Sequence, residues 1–414
     1  MYSELFRIPI ELFGVPLFGV GVLLAFWLLA CVAWGAAHFR SGAGLLEWAV
    51  LVAVTLIVAA VLVLLPRMFP EGLPVRSYGL MMLLGGLAGV GLATRRAMQN
   101  GLHPDVIFSL AIRLFVAGIL GARLFFVIEY WEERFGQLPL REALVQALMF
   151  TEGGLVVYGS LIGASLAFLV FCRRHNLPIL AMADILAASL VIGLALGRIG
   201  CLFNGCCYGG PTNVAWAITF PAGSPAYGDH VGQERIAGVQ LWQEPGDPEK
   251  RIKLYSRSEE GETTLGVVSS IDGKPVSTLV EAQAALTRAY WSGEEAVEFT
   301  LADGSHRTAV SRSLPVHPTQ LYSALNAVLL SWLCWAFYAF RRRDGEVIGL
   351  LLALYPISRL LLETIRTDES DFLGTSLSIS QNVSIVLLLL VAVYWAWLVR
   401  QPRGFALADS MRRG

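Results

Sequence analysis

Nine stretches of about 20 mostly apolar residues, each long enough to cross the hydrocarbon core of a bilayer as a helix, punctuate this 414-residue chain. They lie near Val15 to Ala36, Leu46 to Leu65, Tyr78 to Ala97, Val106 to Tyr130, Gly154 to Phe171, Ala183 to Leu202, Gln320 to Phe340, Val347 to Ile365 and Ser384 to Val399. With 55% hydrophobic and 15% charged residues and a mean hydropathy of +0.60, the chain lies outside the range of soluble domains. The fold class is therefore an all-α polytopic membrane protein of about nine transmembrane helices. A net charge of -1 supplies no global basic field and argues against nucleic acid as a partner.

The apolar run from Val15 to Trp34 is longer than a signal-peptide core, and Glu4 and Arg7 precede it instead of a basic segment, so it reads as a retained helix. The six cysteines, Cys31, Cys172, Cys201, Cys206, Cys207 and Cys334, are too scattered for a disulfide framework. Small buried hydrophobes are the expected role for most of them.

Charge in the short loops sets the orientation. Arg40, Arg95 and Arg96, Arg173 and Arg174, Arg341 to Arg343, and the tail with Arg400, Arg403, Arg412 and Arg413 fall on one face, which the positive-inside rule makes cytoplasmic. Nine crossings then put the N-terminus outside and the C-terminus inside. The expected organisation is extra transmembrane helices over 1–72, a core in two parts over 73–208 and 317–400, an extracytoplasmic region over 209–316, and a cytoplasmic tail over 401–414.

Within that extracytoplasmic region, TTLGVVSSI and AVEFTLADGSHRTAVSR alternate like strands, the second around an Asp303-Gly304 turn, and LVEAQAALTRAYW between them has helical spacing. The order strand, DGKPV turn, helix, hairpin resembles the carboxy-terminal part of a PDZ domain. A small α/β, PDZ-like insert over about 262–312 is the expectation, with a plain lid or spacer as the alternative.

A charge near the bilayer centre costs about 2.5 to 3.5 kcal/mol on insertion scales and is normally kept for pairing or function. Arg123, Arg198, Arg359 and Glu363 all lie near the outer ends of their helices in this topology. Arg359 and Glu363, four residues apart, share a helix face, with Arg366 one turn further. One carboxylate cannot neutralise this many guanidinium groups, so the surplus positive charge calls for an anionic partner such as a lipid phosphate, which arginine grips in a bidentate way. Snorkelling to the interface is the alternative, favoured for Arg366. Glycines gather in GGLVVYGSLIGA and GLALGRIGCLFNGCCYGG, where small residues allow close helix approach or exposed backbone donors.

At these residues the chain resembles the prolipoprotein diacylglyceryl transferases. SYGLMMLL with ATRRA, GARLFFV, EGGLVVYGSLIG, GRIGCLFNG, HPTQLY and YPISRLLLETIR occur in the family's order from about Tyr78 to Arg400. The resemblance implies transfer of a diacylglyceryl group from phosphatidylglycerol to the lipobox cysteine thiol of a prolipoprotein, releasing glycerol phosphate, in the bacterial inner membrane. It implies membrane lipid and prolipoprotein signal peptides as partners, and no metal or soluble cofactor. It makes Arg198, Arg359, Glu363 and Tyr158 the catalytic candidates. Arg198, Tyr78, Arg123, Asn204, Tyr355, Gly159 and Ser160 are the substrate-binding candidates, and the segment His317 to Tyr322 is structural or gating. The chain departs from the pattern where Tyr158 stands for a histidine proposed as proton acceptor, Cys201 for an asparagine, and Cys206 for an acidic residue.

Three other classes compete. A non-catalytic or divergent lipid-binding paralogue with a different acceptor would keep the arginines and tolerate those departures. An intramembrane serine protease built on Ser160 lacks a convincing histidine partner, and no HExxH motif supports a metalloprotease. A metal or redox site on Cys201, Cys206 and Cys207 has poor zinc spacing.

Overall fold

The computed structural model describes residues 4–40, 45–136, 138–149, 154–233, 235–236, 239–243, 251–258, 261–292, 296–366 and 377–407. Glu152 and Gly153 of the EGGLVVYGSLIG motif, Arg412 and Arg413 lie outside them, as do the side chains of His38 and Arg40. The chain divides into a unit over Met1–Leu80 and a second over Met81–Gly414.

In the first unit, β1 (Glu4–Ile8) pairs antiparallel with the later strand Leu73–Arg76, and β2 (Glu11–Leu12) forms a hairpin with β3 (Val15–Pro16). Helices α1 (Val22–Arg40) and α2 (Leu45–Met68) follow, and then that later strand, β4. The first helix starts at Val22 and not at Val15 because Pro16 belongs to the hairpin while Gly14 and Gly19 take left-handed backbone, φ 80° and 75°. Gly35 lets the indole of Trp48 close on α1, and Thr55 Oγ1 donates to Cys31 Sγ at 3.3 Å.

The second unit is a helix bundle carrying a folded insert. Its helices are α3 (Ser77–Gln99), which begins in the first unit, α4 (Pro104–Glu129), α5 (Leu140–Leu148), α6 (Val157–Arg174) and α7 (Ile179–Asn204). Then come α8 (Pro225–Gly232), α9 (Leu279–Ser292), α10 (Thr319–Phe337), α11 (Glu346–Glu363) and α12 (Ile379–Leu398). Each of the nine apolar runs contains a helix. Among the described residues, seven are long and apolar enough to cross a membrane: α2, α3, α4, α6, α7, α10 and α12. The apolar helix in α1 is described over Val22–Ala36, and the 18 residues of α11 carry three charged side chains, Glu346, Arg359 and Glu363.

Helix α7 is the hub, with half of its span buried, a larger share than in any of the other six. Its buried face mixes small residues, Ala181, Ala187, Ala188 and Ala195, with Met182, Ile185 and Val191, against α10 and α11, and the small residues let the helices approach closely in lipid. At one end of the bundle, the Asp184 carboxylate accepts from the backbone N–H groups of Gly345 (2.8 Å), Val347 (3.1 Å) and Ile348 (2.8 Å), which caps the start of α11. Arg96 stacks on Trp335 and Tyr338 and donates to Trp335 O at this same end, and Arg343 bonds Val399 O and Gln401 O. The opposite end gathers the C-termini of α4, α7 and α11 with the N-termini of α6, α10 and α12.

From that opposite end rises the insert. Its neck is closed by bridges from Pro211 and Ile218 to Val316 and from Pro221 to Arg312, over a small core of Tyr208, Phe220, Ala226 and Val316. Above it stands a seven-stranded antiparallel sheet of β5 (Arg235–Ile236), β6 (Val239–Gln243), β7 (Ile252–Ser258), β8 (Gly261–Ile271), β9 (Lys274–Pro275), β10 (Ala296–Leu301) and β11 (His306–Val310). The spatial order is β11-β10-β8-β7-β6-β5, with β9 paired to β8. The alternation in β10 puts Val297, Phe299 and Leu301 inside, against Ala282, Ala285 and Leu286 of α9. The strand, turn, helix and hairpin read from the sequence are present, but the sheet reaches back to Arg235, ahead of the expected boundary near 262. The Pro-, Gly- and charge-rich stretch QEPGDPEK breaks the alternation there and hides β6 and β7 from a sequence reading.

His230, 2% exposed in α8, accepts the Leu314 N–H through Nδ1 at 3.1 Å. Burial depresses its pKa, and protonation would remove the acceptor. A depressed folded-state pKa means the unfolded chain binds the proton more readily. The stability from neutral His230 is therefore present above the unfolded value of about 6.5 and lost as pH falls below it. Thermal unfolding followed by tryptophan fluorescence is expected to show Tm falling between neutral pH and about pH 5, and a shallower fall in His230→Asn, whose amide oxygen accepts at either pH.

Candidate active site

The helix ends that carry Arg198 and Arg359 meet on the insert side of the bundle. Arg198 lies six residues before Asn204, the last residue of α7, roughly 9 Å below the helix end at 1.5 Å per residue. Gly205 caps the helix in left-handed backbone, φ 75°, and the chain folds back over the helix end. Gly210 N–H then donates to Ile365 O at 2.9 Å, while Gly209 N–H donates to His317 O and His317 N–H to Gly210 O, across to the start of α10. Two side chains of the HPTQLY motif complete the seam: Thr319 Oγ1 donates to Cys207 O and Gln320 Nε2 to Cys206 O, both at 2.8 Å. The exits of α7 and α11 are thus tied together by backbone groups, and the residues they carry share one neighbourhood.

On α11, Arg359 Nη2 pairs with Glu363 Oε2 at 3.0 Å and donates to Ser380 Oγ at 2.8 Å. Ser378 Oγ donates to Glu363 Oε1 at 3.3 Å and also caps α12 together with Gln381. Side-chain exposure is 15% for Arg359 and 3% for Glu363, so the pair is sheltered. Ser378 and Ser380 went unremarked in the sequence, although the Ser-x-x-Gln spacing Ser378 to Gln381 is a recognisable helix-start signal.

Arg198 stands differently. Its Nε is buried and has no hydrogen-bond acceptor among the described residues, a condition that costs about 1 to 3 kcal/mol, more for a charged group. The positive charges of Arg198 and Arg366 act on Cys207, whose thiol is held below the ordinary cysteine value, first by hydrogen bonding from Cys201 and Cys206 and then by these guanidinium groups. Asn204 reaches the Cys206 thiol.

The remaining candidates have other surroundings. Arg123 donates to three backbone carbonyls, Gln146 O (2.7 Å), Ala147 O (2.9 Å) and Gly154 O (3.1 Å), so it orders the end of α5 and the approach to α6. Gly159 is buried in the α4–α6 crossing, where a Cβ would overlap Gly121 O and Phe125 Cβ, and Ser160 Oγ faces Gly118 beside it. No histidine bonds Ser160 among the described residues, which removes the chemistry a serine protease needs. Tyr158, 50% exposed, opens α6. Tyr355 is half-buried against the α7–α10 core, with Asn326 of α10 bonding Ser358 one turn on. Tyr78 belongs to the first unit, half-open at the start of α3.

A multi-pass helical membrane protein with a cationic, largely sheltered site at one end of its bundle is the class that fold and geometry define. The chain matches the family described as prolipoprotein diacylglyceryl transferase over residues 66–397. It is 32% identical to phosphatidylglycerol--prolipoprotein diacylglyceryl transferase of Rhodopirellula baltica, over 96% of this chain and 89% of that protein. Enzymes of the same name from Corynebacterium efficiens (26% identical over 78% of this chain and 77% of that protein) and Gloeobacter violaceus (36% over 36% and 54%) are also similar. The chain belongs to the prolipoprotein diacylglyceryl transferase family and is a membrane-bound transferase.

Proposed function

We propose that this chain transfers the diacylglyceryl group of phosphatidylglycerol to the lipobox cysteine thiol of prolipoproteins. The carbon–sulfur bond forms as the carbon–oxygen bond to phosphate breaks; glycerol phosphate leaves, and the thiol proton ends on the released phosphate. The single observation that carries the residue assignment is Arg198, a sheltered guanidinium whose Nε lacks an acceptor among the described residues, as a site waiting for an anion requires. Arg198 grips the phosphate and stabilises the charge that builds on it as the bond breaks. Arg359, held in orientation by Glu363 and Ser380, adds the second positive contact. Tyr158 and Asn204 flank the reacting centre with hydrogen-bonding groups, and Tyr355 lines the lipid.

Arg123, with its donors on carbonyls, supports the site by fixing the 146–154 backbone. Gly159 and Ser160 support it by letting α4 and α6 close. The reading extends to topology: nine spans in the bacterial inner membrane, N-terminus outside and C-terminus cytoplasmic, with the basic end of the bundle inside. The 209–316 region, with its PDZ-like strand–helix–hairpin, then stands over the site on the outer face, where secreted prolipoproteins arrive.

In bacterial cells depleted of their own transferase, expression of this chain is expected to restore the diacylglyceryl mass on a reporter prolipoprotein. An unmodified reporter, with the chain present in the membrane fraction at the level of a working relative, would contradict the reading.

A further inference from the structure

Cys201, Cys206 and Cys207 are brought together by the fold-back after α7. Their three Sγ atoms all lie within 4.8 Å of one another, and none forms a disulfide. The sequence spacing, with Cys206 adjacent to Cys207 and no histidine nearby, is poor for zinc. Two left-handed residues in three positions, Gly205 (φ 75°) and Cys207 (φ 58°), reverse the chain and return both thiols to the turn of Cys201. The arrangement is held from outside: Cys206 N–H donates to Cys201 O at 3.1 Å, and Gln320 and Thr319 anchor the carbonyls of Cys206 and Cys207.

This is not how the chain's other thiols are used. Cys172 and Cys334 are buried in the apolar core cluster as small hydrophobes, whereas the three clustered thiols are half-buried at a helix end. A metal–thiolate bond of about 2.3 Å puts three sulfurs in a trigonal plane about 4 Å apart, a distance the cluster reaches with side-chain adjustment. No histidine or carboxylate joins the group among the described residues, so the tetrahedral fourth ligand that structural zinc takes is missing. Three soft sulfur donors without a nitrogen or oxygen ligand suit a monovalent soft ion, and Cu(I) is the biological ion of that kind.

We infer that Cys201, Cys206 and Cys207 form a three-thiolate site that binds one Cu(I) ion at the end of α7. The test is anaerobic titration of the purified, reduced chain in detergent against the Cu(I)–bicinchoninate complex, reading loss of its colour. Wild type is expected to withdraw one Cu(I) per chain. Cys206→Ser and Cys207→Ser are each expected to bind at least about 100-fold more weakly, the upper end of what losing even an outer-shell partner costs. Cys31→Ser is expected to match wild type. Failure of the wild type to compete, or equal capture by the variant with all three cysteines changed to serine, would overturn the site. Copper X-ray absorption of the loaded wild type needs no variant to fold: three sulfur neighbours at about 2.3 Å support the site, and a shell dominated by nitrogen or oxygen contradicts it.

Discussion

Arg198→Ala is expected to lower diacylglyceryl transfer by about 10³-fold, roughly 4 kcal/mol of transition-state stabilisation, while leaving the folded bundle intact. The two halves of that expectation have separate causes. Removing a cation whose Nε has no acceptor leaves no Nε acceptor orphaned among the described residues, so Tm is expected to change little or to rise. Removing it from the phosphate deprives the leaving group of its counter-charge as the carbon–oxygen bond breaks. Arg198→Lys keeps the charge but gives up the planar fork, and is expected to recover only a minor part of the rate. A fall in Tm as large as that of a core variant, with activity loss explained by unfolding, would make Arg198 a structural residue.

Glu363→Gln is expected to fail in a different way. The carboxylate is 3% exposed and pairs with Arg359 at 3.0 Å, and breaking a sheltered pair from one side costs about 3 to 5 kcal/mol because the other charge stays behind uncompensated. Both stability and activity are therefore expected to drop, the rate by about 10²-fold or more for a misplaced cation in the site. The double variant Arg359→Met with Glu363→Leu separates the two roles. Replacing both charges by apolar groups is expected to restore Tm without restoring transfer, since the second positive contact is gone. Recovery of both Tm and transfer would confine the pair to holding α11 against α12.

The apolar periodicity makes the helices legible, because a run long enough to cross the bilayer leaves the backbone little alternative to a helix. It misleads only where turn chemistry overrides it, as at Pro16 and Gly19 ahead of α1. Arg198, Arg359 and Glu363 stood out because ionisable groups are rare inside lipid. Arg123 stood out for the same reason, but its destination did not. It binds carbonyl oxygens at 146, 147 and 154, and every residue has a carbonyl, so no sequence pattern marks such a partner. Gly159 was ambiguous between packing and ligand contact until its approach to Gly121 was known. The thiol cluster was hidden for a third reason: it depends on backbone reversal at Cys207, a non-glycine residue in left-handed conformation, which residue type does not announce. The clamps from Thr319 and Gln320 join positions over 100 residues apart in the chain, beyond the reach of local patterns.

The most direct test of the account is a transfer reaction with purified chain in detergent, phosphatidylglycerol and a lipobox peptide, following the peptide's mass and released glycerol phosphate together, with Arg198→Ala alongside. The account predicts a diacylglyceryl mass gain matched one to one by glycerol phosphate, and neither product from Arg198→Ala. Equal turnover by wild type and Arg198→Ala, or peptide modification without glycerol phosphate release, would contradict it.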